Sequence, residues 1–196
     1  MGASAAYPGL FFCFAAMVLL IFVSVGAPTW DKIGFLKANI DGTKRFGVFG
    51  YTGTSSTVGW HFQQSILGFD DHRLNHGVVH NLTFVLILLP IAAGLSGLAV
   101  LFGLCGAHYH RSGTVFMSLA AALATLCTLV GFIIELVLFG IAEHEFHKRG
   151  FSAKYDNATW MTLGALVALL VGWCTSLFGV FGHYRRRRAA YPANSY

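Results

Sequence analysis

Four long stretches almost free of charge constrain this chain more than any other feature. Residues 10–29, 82–107 and 159–184 contain no Asp, Glu, Lys or Arg, and residues 114–142 contain one, Glu135. A helix needs roughly 20 apolar residues to cross a bilayer core of about 30 Å, and each stretch meets that length. Lipid offers the backbone no hydrogen bonds, so a lone apolar segment inside it has to be helical. The expected fold is an all-α transmembrane four-helix up-down bundle forming one membrane domain over residues 1–196. Charged residues make up 11% of the chain, against about 25% in soluble domains. Outside the loop at 30–77, nothing remains from which to build a soluble core.

The first stretch has a rival reading as a cleaved signal peptide, with Val25 and Ala27 suiting a cleavage site. Residues 1–9 lack a basic segment and the stretch exceeds a usual signal core, so it is expected to stay as a span. The net charge of +5 does not point to nucleic acid. Four cations form the block Arg185, Arg186, Arg187 and Arg188 directly after the last stretch. Such a block suits an anionic cytoplasmic leaflet and orients both termini to the cytosol. A raw count opposes this, with eight Lys and Arg in the outer loops against five inside. The Arg block is weighted more because it adjoins a helix end. Two sequons, at Asn81 and Asn157, fall on the outer side, close to the membrane surface.

The loop at 30–77 carries the one β-signal. Phe35 to Ile40 leads into Asp41-Gly42, and Thr43 to Tyr51 follows. Asp-Gly between two such runs favours a hairpin, because turn residues there adopt positive φ. A lone hairpin is marginal in water, so this one must lie on the helix ends or gain a further strand. Its second arm holds Phe46, Phe49 and Tyr51, open to two readings: packing onto the bundle, or a partner-binding surface.

The run Arg45-Phe46-Gly47-Val48-Phe49-Gly50-Tyr51, a Gly/Thr/Ser stretch and then Leu67-Gly68-Phe69-Asp70 resembles the first outer loop of fungal PalI-type membrane proteins. That group includes eisosome-associated and ambient-pH-response proteins, and its plan is similar to that of the claudins. The resemblance implies four spans, a β-containing first outer loop, a projecting third helix and cytosolic termini in the plasma membrane. The family often has Cys where Thr52 follows Tyr51; this loop has none. The four cysteines, Cys13, Cys105, Cys127 and Cys174, all lie in the apolar stretches.

Helices in lipid associate through close packing, and small residues mark the contacts. Gly164, Ala168, Gly172 and Ser176 recur at i+4 in the fourth stretch, as an internal seam or a docking face for another membrane protein. Pro90 should kink the second helix. Glu135 falls about 32 Å along its helix from Thr114, near the outer interface. A structural role beside Thr or Asn at the helix ends is expected there, with ion handling or partner contact as alternatives.

Nine histidines are many for this length. His72, His76 and His80 are spaced by four before the second span; His144 and His147 follow the third. Histidine with carboxylates can bind zinc or titrate between about pH 5 and 8; a solvated polar rim is the plainer reading, and no metal site is firmly expected. A b-type cytochrome needs paired histidines on facing helices, and these lie at helix ends instead. No hydrolase, zincin or phosphate-loop motif occurs. The expectation is a non-enzymatic plasma-membrane protein without cofactor. It would organise a membrane domain or support a larger membrane protein in cell-wall work or pH response. Its partners would be the bilayer with its anionic inner leaflet and a larger membrane protein or a second copy, with no nucleic acid. An extracellular pH or zinc sensor is the alternative.

Overall fold

The computed structural model describes residues 7–30, 32–39, 43–60, 77–108, 112–148 and 150–189. In chain order the elements are α1 (Tyr7–Ser24), β1 (Leu36–Asn39), β2 (Thr43–Phe46), α2 (Gly77–Val85), α3 (Leu88–His108), α4 (Ser112–Lys148), β3 (Ala153–Tyr155) and α5 (Asn157–Ala189). Among the described residues, three helical segments, Asn81–Gly106, Val115–Lys148 and Asn157–Ser176, are long and apolar enough to cross a membrane; Pro8–Ser24 is apolar but shorter. The 18 residues of α1 still extend about 27 Å.

The long helices close a ring in which α1 packs on α3 and α5, and α4 packs on the same two. Small and medium side chains fill the interior. Cys13, Ala16, Leu20, Ala92, Ala99, Ala121, Ala124, Ala165 and Leu169 are all fully buried. Large apolar side chains such as Leu101, Leu119, Leu126, Ile133 and Val167 instead face outward. This inversion of a soluble bundle follows from the solvent: lipid tails accept Leu and Ile at no cost, so close backbone approach decides what goes inside.

Pro90 acts as expected. It has no N–H to offer the carbonyl of Leu86, and its ring crowds that carbonyl. The helix breaks at Leu86 and Ile87, between α2 and α3. Shorter turn bonds bridge the gap, from Ile87 N–H to Phe84 O at 3.2 Å and from Leu89 N–H to Leu86 O at 3.1 Å.

The 37 residues of α4 extend about 55 Å, well beyond a bilayer core. The helix runs on past residue 142, where the charge-free stretch ends, to Lys148. Its C-terminal end, from within the apolar stretch to the overhang, carries the buried side chains Phe139, Ala142 and Phe146, against which a small sheet packs. That sheet has the order β2-β1-β3. β1 and β2 form the expected hairpin with Asn39 opposite Thr43; the Asp41-Gly42 turn itself lies outside the described residues. β3 pairs antiparallel with β1, Leu36 opposite Tyr155. The further strand thus comes from the loop between α4 and α5.

Candidate functional site at the sheet end of the bundle

One face of the sheet is apolar and closed. Leu36, Ala38, Phe46 and Ala153 are buried. Phe35 stacks on Phe139 with ring centroids 5.2 Å apart, and Phe46 stacks on Phe146 at 6.0 Å. Phe46, Tyr51 and Trp60 meet one another at 5.5 to 5.7 Å. Aromatic pairs at these separations contribute about 0.5–1.5 kcal/mol each beyond their burial. Phe46 and Tyr51 are thus buried, and only Phe49 is part-exposed. Their placement favours packing over partner contact for two of the three aromatics.

The chain folds back sharply after β2. Gly47 N–H donates to Gly50 O at 2.7 Å, and Thr52 N–H donates to Arg45 O at 2.9 Å. Backbone pairing closes this edge at Thr52. The turn lies on the segment that leaves α1: a Cβ on Gly47 would run into the backbone of Ala27, so only glycine fits. All four cysteines are free thiols.

An ion pair ties the two loops together. Arg45 Nε stands 2.7 Å from Asp156 Oδ2, with the side chains 21% and 11% exposed. Arg45 belongs to β2 and Asp156 immediately precedes α5, so the arm of Arg45 crosses the end of β1. Gly34 lies beneath it; a Cβ there would approach Arg45 Cβ and Phe46 O to 3.0 Å. Backbone bonds add to the tie, from Asp156 N–H to Phe35 O at 2.8 Å and from Ala158 N–H to Gly34 O at 3.0 Å.

A search with family models matches residues 5–185 to the SUR7/PalI family. The chain belongs to the SUR7/PalI family. No individual curated protein matches it. Membership agrees with the bundle and sheet: this SUR7/PalI protein is a membrane protein whose long apolar helices carry a small β-element at one end.

Other candidate residues are placed as follows. Glu135 is fully buried one turn below Phe139, beside the hydroxyls of Thr159 and Thr162. Neither carboxyl oxygen meets hydrogen-bond geometry. Both hydroxyls donate to backbone instead, Thr162 to Ala158 O at 2.9 Å and Thr159 to Phe35 O at 3.4 Å. Thr83 and Thr159 of the two sequons are buried, while Asn81 and Asn157 are exposed.

In the small-residue stripe of α5, Gly172 faces α1. A Cβ there would sit 3.1 Å from Cys13 Sγ and 3.3 Å from Gly9 O, and one on Gly9 would meet Ser176 Oγ at 2.8 Å. The lower stripe is therefore an internal seam. Ala168 packs partly against the core, and Gly164 is exposed with Leu19 at 3.8 Å from its would-be Cβ.

His72 and His76 lie outside the described residues, and so does the side chain of His80. His144 and His147 are exposed on α4, where a ring nitrogen of His147 lies 3.1 Å from Glu143 O. Among the described residues no group of three or more His, Cys, Asp or Glu is placed to hold a metal ion. Arg185 to Arg188 continue α5 to its end at Ala189.

Sequence reasoning missed Asp156. Asp156 carried one usable signal: an acid directly before a helix start, where the positive end of the helix dipole favours it. Burial, followed by the charges of Glu143 and Glu135, pushes the Tyr155 phenol above its usual range.

Proposed function

We propose that this SUR7/PalI protein is a non-catalytic organiser of the plasma membrane. In this reading it shapes a membrane domain or supports a larger membrane protein in cell-wall work or pH response, as its family's eisosome and pH-response associations suggest. The supporting observation is the fixed sheet at the end of the bundle. Arg45, Asp156 and the aromatic cluster lock both loops onto the α4 overhang, giving a small rigid platform that is covalently continuous with all the helices. Rigid presentation of a surface suits recognition, because little ordering entropy is then lost on binding. In the proposed orientation the sheet faces the cell exterior. The Arg185–Arg188 block then meets the anionic inner leaflet, and both termini are cytosolic.

The test is crosslinking in native membranes followed by mass spectrometry, at native expression. The proposal expects a larger membrane protein or a second copy, joined through sheet-end residues or exposed helix faces. Recovery of an uncrosslinked monomer alone counts against it. Tag accessibility in intact cells checks orientation, and a cytosolic sheet overturns that part.

A further inference from the structure

The outward face of the sheet carries a row of cations. Lys37 on the central strand stands directly opposite Arg45 on one side and Lys154 on the other. Directly opposed residues in antiparallel strands share a face and lie within about 5.5 Å at Cβ. Arg45 has its charge answered by Asp156. Lys37 and Lys154 are exposed, and no ion pair joins either to a described residue.

Like charges directly opposite each other destabilise a sheet, so the pair needs a reason. Guarding a sheet edge against aggregation is the usual one. It covers Lys154, on the edge strand β3, but not Lys37, whose strand is paired on both sides. The neighbours Asn39 and Thr43 are exposed polar residues that add hydrogen-bond capacity without negative charge.

We propose that Lys37 and Lys154 hold a multiply charged phosphate group. Neighbouring strands lie about 4.8 Å apart, and two ammonium groups at that separation can both reach the oxygens of one phosphate at charge-assisted hydrogen-bond length, about 2.8 Å. Bound phosphate turns the repulsion between the lysines into shared attraction. The phosphate belongs either to a soluble oligophosphate or to a lipid headgroup bearing a phosphomonoester, the recognising chemistry being the same.

The test uses the full chain in nanodiscs, in a background with Arg185, Arg186, Arg187 and Arg188 changed to Gln so that the basic block attracts no probe. Discs of phosphatidylcholine alone are titrated with tripolyphosphate; parallel discs contain phosphatidic acid. Thermal unfolding and direct titration are both read. The parent should be stabilised by one of the two phosphates, and which one identifies the source. Lys37→Gln with Lys154→Gln should lower affinity at least tenfold. Without phosphate that variant should unfold at the same temperature as the parent or higher, since a repulsion is gone. Lys37→Arg with Lys154→Arg should retain binding. Equal phosphate response in the parent and the Gln variant, or no response in the parent from either source, overturns the assignment. A Gln variant that unfolds earlier without phosphate overturns it too.

Discussion

The Arg45–Asp156 pair can be tested quantitatively by a double-mutant cycle with Arg45→Gln and Asp156→Asn. Asn keeps the capping ability of the residue before α5, so the second change removes charge alone. At 2.7 Å the direct attraction is about 1.5 kcal/mol at the dielectric of water and about 6 kcal/mol at an effective value of 20. Side-chain exposures of 21% and 11% put the pair between a surface bridge and a buried one. Desolvation of both groups offsets much of the gross attraction. A net coupling of about 2 kcal/mol is expected, since close charge pairs held away from solvent couple by roughly 1.5 kcal/mol or more. The measurement is reversible unfolding of the four cycle members in one detergent, monitored by Trp fluorescence. Each single change should cost more than half the coupling, and the double change little beyond either single one. A coupling below about 0.5 kcal/mol, the range of exposed pairs, would refute the reasoning. So would a coupling abolished by 0.5 M salt, because screening acts mainly on solvent-exposed charges.

Gly47→Ala should prevent the turn after β2 from seating on Ala27, since the clash is with backbone. A loss of about 3 kcal/mol or more is expected, at or beyond the upper range for overpacking, read as loss of folded protein by size exclusion. Glu135→Met removes a buried carboxyl whose oxygens accept no well-formed bond. A buried polar group left without good bonds costs about 1–3 kcal/mol, so the change should be neutral or stabilising by that order, and a drop in thermal stability would instead assign Glu135 a positive structural role. Burial holds the Tyr155 phenol above its usual range in the folded protein. The unfolded chain therefore ionises first, and stability should fall as pH rises through about 10. Tyr155→Phe should flatten that part of the pH dependence, as chemical denaturation at pH 9 and pH 11 can show.

What the sequence made legible was what acts locally. Long uncharged runs gave the helices, Pro90 gave the break four residues before it, and Asp41-Gly42 gave the hairpin of β1 and β2 but not its register, which sets Asn39 opposite Thr43 where a two-residue turn would set Ile40 there. The projecting third helix was expected from the resemblance, although its end came six residues later than the charge-free stretch, because Glu143, Glu145 and His147 continue the helix outside the apolar region. β3 was not legible, since three residues are too few to display a period of two. Arg45 and Asp156 are more than a hundred residues apart, and no local pattern links them. The fate of Phe46 and Tyr51 depended on Trp60 and Phe146, which approach only after the sheet docks on α4. Of the i+4 stripe, Gly172 and Ser176 meet α1 while Gly164 is exposed, and nothing in that spacing names the helix on the other side.

The middle strand of the sheet is made early and its second neighbour late. β1 emerges with the first loop, whereas β3 follows α4, just ahead of the last helix. Until the ribosome has delivered residues 153–156, one flank of β1 and the charge of Arg45 have no counterpart. Completion of this small sheet is therefore a report that α4 has reached its final depth and that the chain has come back to the side from which α5 sets out.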